Sequence, residues 1–173
     1  MKRLTVLAVF TFLFVTLYSQ TVAVDELFNK YAGKEGFTSV MISSKMFGLF
    51  ASKESNDEEL SNVMNRLKSI RILTVEDTLL NKSINFYTEL RKKTDFSGYE
   101  ELMVVREGQD VTYFLTRQSG KTLSELLLIS GGRTGNTLIS IRGDLNLKDI
   151  SGLSRSMGME ELKALENLEK KSP

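Results

Sequence analysis

Neutral-pH catalysis leans on histidine and cysteine, and this chain of 173 residues contains neither, nor any tryptophan. Without imidazole there is no general base for a serine or cysteine nucleophile. Without imidazole or thiolate there is no ligand set for zinc or copper. Oxygen ligands remain, and those suit calcium or magnesium. Glu54, Asp57, Glu58 and Glu59 form the densest acidic group, and Asp144 with Asp149 a looser one. The first group stands at a helix start, where carboxylates complement the helix dipole and cap free amides, so it needs no metal to explain it. Paired carboxylates could serve glycoside hydrolysis, where their separation sets the mechanism. The 22 acidic residues are spread along the chain, however, and nominate no pair. No catalytic residue, metal or cofactor is expected.

Two stretches look like phosphate chemistry. Ser119-Gly120-Lys121-Thr122 has the ending of a P-loop, but the glycine required five positions before Gly120 is Leu115. A P-loop must also run from a strand into a helix, whereas this stretch joins two strand patterns. It reads as a hairpin turn. Gly131-Gly132-Arg133-Thr134-Gly135 could cradle a phosphate with Arg133 as partner. Glycines at this density more often supply positive φ in a long hairpin turn. Arg71, Arg106 and Arg142 lie on or beside strands. They could line an anion site, although arginines there usually decorate the solvated face of a sheet.

One apolar segment is denser than a short helix needs. Met46-Phe47-Gly48-Leu49-Phe50 places four large apolar side chains in five residues, with a glycine among them. That glycine weakens a helix by about 1 kcal/mol relative to alanine. Met46, Phe47, Leu49 and Phe50 are the candidate partner-binding or ligand-binding residues. At least one of Phe47, Leu49 and Phe50 is expected to face a cavity or a partner instead of the core.

These residues need elements to hold them. Apolar spacing predicts a helix over Asp25–Ala32 stopped by Gly33, a strand over Phe37–Ser43 and helical turns over Lys45–Ala51. Ser52–Asp57 is a polar loop, and Asn56 with Glu59 makes a capping box. Leu60, Val63, Met64 and Leu67 then follow the i, i+3, i+4, i+7 rule of one buried helical stripe. A strand over Ile70–Val75 and a longer helix over Leu79–Lys92 come next. Beyond these the period changes to two. Glu101–Arg106, Val111–Thr116, Leu123–Ile129 and Thr137–Arg142 read as four strands joined by short turns, a meander. Leu145, Leu147, Ile150 and Leu153 lead into a helical region, and Met159–Lys171 is a charged amphipathic helix. Helices first and strands afterwards predict an α+β domain, an antiparallel sheet with a C-terminal four-strand meander and helices packed on one face.

The first residues supply an address. Lys2 and Arg3 precede an uncharged apolar run, Leu4–Leu17, and small and polar residues follow from Ser19 to Ala23. That is the order of a secretory signal peptide. The run is too short for a comfortable membrane span, which takes about 20 residues. Residues 1–23 are therefore read as a signal peptide and 24–173 as a single domain. Cleavage after Ser19, Gln20 or Ala23 fits the small-residue rule, and the absence of cysteine excludes a bacterial lipoprotein anchor. Removal takes two of the 23 basic residues and none of the 22 acidic ones, leaving a net charge near −1. So balanced a chain lacks the basic face that nucleic acid requires and the polybasic tether of a membrane-surface protein. About 150 residues bury roughly 70% of their unfolded surface and can fold without staples. An exported protein without disulfides points to a bacterial envelope.

The order of segments is also familiar. Phe28–Ser43 (FNKYAGKEGFTSVMIS), Met46-Phe47, Ile70–Leu73, Tyr99–Val105, Ser124–Leu128 and Leu138–Ile150 together resemble an exported bacterial family, domain of unknown function 4252. The resemblance spans nearly the whole mature chain and implies an origin in Bacteroides-type bacteria. It carries over no catalytic residue. Members of that family are often encoded near sigma-factor genes, which implies a role in envelope stress or regulation. The expected function is therefore a non-enzymatic protein, exported to the periplasm or outer envelope, that binds a protein partner along an exposed strand edge. The alternative is a carrier of a small apolar or lipid ligand, and a carboxylate-only hydrolase comes third.

Overall fold

The computed structural model describes residues 23–153, except 54–57, 95, 134, 147 and 151. Helix α1 spans 23–31 and stops where Gly33 takes a φ of 75°, a left-handed state open to glycine without steric cost. Strand β1 (Phe37–Ser43) follows, then helices α2 (Ser44–Lys53) and α3 (Glu58–Arg66) and strand β2 (Leu67–Val75). Two short helices, α4 (Thr78–Ser83) and α5 (Phe86–Arg91), precede β3 (Glu100–Glu107), β4 (Asp110–Ser119), β5 (Thr122–Gly131) and β6 (Thr137–Leu145). Residues 148–150 and 152–153 are helical again. The fold is α+β, and its six strands form one open antiparallel sheet in the order β1-β2-β6-β5-β4-β3. Strands β3 to β6 are consecutive neighbours, the C-terminal meander that the turn spacing predicts. Strands β1 and β2 extend the sheet beyond β6, so the two edges are β1 and β3.

The backbone groups into two compact units. In the first, which includes residues 72–115 and 127–139, helices α1, α4 and α5 cover sheet residues. Leu73 and Val75, like Leu127 and Ile129, are alternate positions that share one face of their strand. They pack with Leu27 and Phe28 of α1 and with Phe86 and Leu90 of α5. Each such fully buried side chain contributes on the order of 1.5–3 kcal/mol through lost apolar surface. Leu80, Ile84 and Tyr87 close the margin of this cluster.

The second unit includes residues 41–71, 116–126 and 140–153. Its buried apolar residues include Phe47, Val63, Leu67, Ile70, Ile141, Leu145, Ile150 and Leu153. Helix α2 packs on α3, and Ser61 Oγ donates to the Ala51 carbonyl at 3.3 Å. Arg66 fastens the end of α3 to the closing turn. Its Nη2 donates to Asp149 Oδ1 at 2.8 Å and its Nη1 to the Asp144 carbonyl at 3.0 Å. Asn146 and Asp149 cap that turn reciprocally, each side chain accepting from the other's backbone N–H.

Three expectations need correction. The single helix over Leu79–Lys92 is two helices, because Asn85 adopts an extended backbone (φ −142°, ψ 105°) and caps α5 by accepting from Thr88 N. Asp77 caps α4 in the same way. Leu67, the last residue of the expected helical stripe, is the first of β2, because α3 ends at Arg66. Within that stripe Val63 and Leu67 are buried, while Leu60 and Met64 are half-buried. The sheet strands also run longer than their apolar cores, since polar ends still pair in the ladder. The Asn56 cap, Leu147, the Met159–Lys171 helix and residues 1–22 lie outside the described residues.

Candidate functional site

Edge strand β1 reads Phe-Thr-Ser-Val-Met-Ile-Ser, with no charge and no proline. The Gly36 carbonyl accepts from Glu76 N at 2.9 Å, where β1 meets β2. Backbone groups alternate sides along a strand, so those of Thr38, Val40 and Ile42 also face β2. Those of Ser39 and Met41 face outward. The side chains from Thr38 to Met41 are all exposed. An edge of this kind is a template for another strand unless charge, proline or a bulge blunts it. The opposite edge, β3, is blunted by Glu100, Glu101, Arg106 and Glu107 at its ends. Strand β1 has no such device.

Helix α2 follows β1 at once and carries two apolar stripes. Phe47 and Ala51, one turn apart, are 2% and 8% exposed. Met46, Leu49 and Phe50 have the i, i+3, i+4 spacing of one helical face and are 47%, 64% and 45% exposed. A Cβ added at Gly48 would meet nothing within 4 Å among the described residues, so none of them covers the helix there. With Val40 and Met41, these residues are five of the six exposed large apolar side chains among the described residues. The sixth is Leu79 on α4.

Of the four candidates read from the sequence, three point to solvent and Phe47 points inward. Val40 and Met41 were missed. Their exposure follows from β1 being an edge, and strand order leaves no mark on a local pattern.

The other chemical candidates resolve into structure. Ser119–Thr122 joins β4 to β5 as a hairpin turn, with Gly120 at φ 65°. Gly131 and Gly132 do not have positive φ, contrary to expectation; they are glycines because neighbours crowd them. A Cβ at Gly131 would lie 2.7 Å from Asn85 Oδ1, and one at Gly132 would collide with Asp110 Oδ1. Asp110 Oδ1 also accepts from Arg133 N at 2.6 Å, a backbone contact that closes the loop. Arg142 Nε donates to the buried Glu125 at 3.0 Å, beside Ser140 Oγ at 2.6 Å, with Arg117 Nη1 at 3.9 Å. Arg71 is half-buried on β2, and Arg106 is exposed on β3, which β4 and β5 separate from β6. Among the described residues no three acidic side chains converge to hold a metal.

One titrating cluster stands out. Lys30 Nζ lies 2.6 Å from Glu89 Oε2, and the Tyr31 hydroxyl donates to Oε1. Burial pushes the Glu89 carboxyl up, but the hydrogen bonds from Lys30 and Tyr31 outweigh it and hold the group below the ordinary carboxylate value. The bond to Glu89 raises Lys30, and burial raises Tyr31. The cluster joins α1 to α5 and borders the apolar core, so its role is structural.

Residues 31–153 match the family model described as Domain of unknown function (DUF4252). The match covers well over half of the chain, and the protein belongs to that family. No curated protein and no solved structure matches the chain. Among the described residues no helix is long and apolar enough to cross a membrane.

Proposed function

We propose that this member of the DUF4252 family is an exported, non-enzymatic envelope protein that works by binding another protein through β1 and α2. The observation that carries the reading is the stripe Met46, Leu49 and Phe50, left in water beside an edge strand without charge. Exposed apolar residues gathered on one element mark interaction surfaces, whereas scattered ones need no explanation. A strand edge adds main-chain hydrogen bonds to that apolar contact. Export rests on the charged start, the short apolar run and the small residues before Val24. A place in envelope stress or regulation is the family's implication for the same surface.

The apolar stripe stands on the outside of α2, which favours a protein surface over an enclosed ligand. Leu49→Ser and Phe50→Ser should leave the fold intact and abolish partner capture. Organic extraction of the purified protein separates the carrier reading. A clean extract supports protein binding, and stoichiometric lipid would replace this proposal with the carrier.

A further inference from the structure

Resting on the reading of β1 and α2 as the binding surface, we infer that the strand β1 accepts is β1 of a second copy of this chain. The two strands pair antiparallel about a two-fold axis at Val40.

Backbone geometry sets this register. The outward groups of β1 belong to Ser39 and Met41, with the Phe37 carbonyl and the Ser43 N–H beyond them. An axis at Val40 places Ser39 of one copy opposite Met41 of the second, and Met41 opposite Ser39. Both are then hydrogen-bonded pairs, and with the ends the register yields about six backbone hydrogen bonds. The two Val40 side chains meet at the non-hydrogen-bonded position, where cross-strand neighbours approach most closely. Phe37 N already donates to the Lys34 carbonyl at 3.2 Å, so it is not left wanting a partner.

Charge agrees with the same register. Self-pairing usually fails by opposing like charges across the axis, and β1 has none to oppose. Just outside the strand Glu35 precedes one end and Lys45 follows the other, and antiparallel pairing brings those two ends of the copies together, twice by symmetry. Both residues are exposed, and neither has an ion-pair partner among the described residues. The interface is isologous, the commonest closed form of oligomer.

The chain lacks cysteine, so single thiols test the register directly. In Val40→Cys the two Cα atoms fall about 4.5 Å apart, inside the range that a disulfide bridges. In Thr38→Cys, on the same exposed strand, the two copies of the residue lie about 13 Å apart along the strands. The chain as purified from cells should have twice its own mass by light scattering. Under mild oxidation Val40→Cys should form the covalent dimer about tenfold faster than Thr38→Cys, or more. Ser39→Pro deletes an outward N–H and none that faces β2, and should give a monomer with an unchanged circular dichroism spectrum. A monomeric native chain, or equal rates for the two cysteine variants, overturns the inference. The cysteine comparison decides even if Ser39→Pro fails to fold. If the chain is monomeric while Phe50→Ser still loses capture of a different protein, the second copy is wrong and the binding surface stands. If neither occurs, both are wrong.

Discussion

Asn136 is wholly buried, and its side chain has four polar contacts. Its Nδ2 donates to Asn81 Oδ1 at 3.0 Å, the Asn81 carbonyl at 3.3 Å and the Gly132 carbonyl at 3.1 Å. Its Oδ1 accepts from Phe86 N at 3.1 Å. One side chain thus joins α4, the first residue of α5 and the loop before β6. Asn136→Ala would strand the Phe86 amide in the core and should cost about 1–3 kcal/mol, the desolvation penalty of a buried polar group left unpaired. Urea unfolding measures it, and a loss under about 0.5 kcal/mol would refute that role. Glu89 gives a pH signature. Its folded value is depressed below the ordinary 4.5, so its contribution is complete above about pH 4.5 and drains away as pH falls through the folded value. Lys30 and Tyr31 are raised, so their contribution holds below their ordinary 10.5 and 10.0 and is lost as pH rises through the folded values. Glu89→Gln should flatten the acid limb of stability against pH; an unaltered limb would show that the cluster contributes nothing there. None of this was legible in advance. Asn81 and Asn136, like Lys30 and Glu89, are more than fifty residues apart, and local pattern holds no record of such pairs.

At the scale of elements, period was legible and boundaries were less so. Strand β1 and helix α2 lie where alternation and apolar density place them. The two stripes of α2 were also visible as an excess of large residues, but which one turns inward depends on where α3 packs. The break between α4 and α5 hid because Leu80, Ile84, Phe86 and Leu90 keep a helical rhythm across it. Asn85, an N-cap residue in type, was the available signal. At Gly131 and Gly132 the expected reason was conformation, and the reason found is close approach of Asn85 and Asp110. The stripes predict opposite outcomes for one substitution. Phe47→Ser should destabilise by about 3–5 kcal/mol, as the loss of a buried aromatic does. Leu49→Ser and Phe50→Ser should change stability by less than about 0.5 kcal/mol. If all three unfold the protein alike, the outer stripe is core.

For the whole molecule, topology was the part least legible in the sequence. The meander could be read from its turns, since β3–β4 and β4–β5 are each joined by only two residues and have little choice but to pair. Nothing local announced that β2 would join β6 and leave β1 at the edge, and the candidate surface depends on that placement. Export makes its own prediction. Ala23 and Val24 are 4% and 0% exposed within the α1 core. An amino terminus at Val24 would place an ammonium in that core, at a cost of several kcal/mol. Cleavage after Ser19 or Gln20 is therefore expected, and N-terminal sequencing of the exported form checks it. A form that begins at Met1 would mean a retained anchor. The central claim, that β1 and α2 form the surface by which this protein binds, is tested most directly by photo-crosslinking in cells. A photoreactive phenylalanine at Met41, Leu49 or Phe50 should give a discrete protein adduct on irradiation, while one at the exposed Lys82 should give none. Irradiation that yields no adduct at the first three positions, or the same adduct at Lys82, would contradict the account.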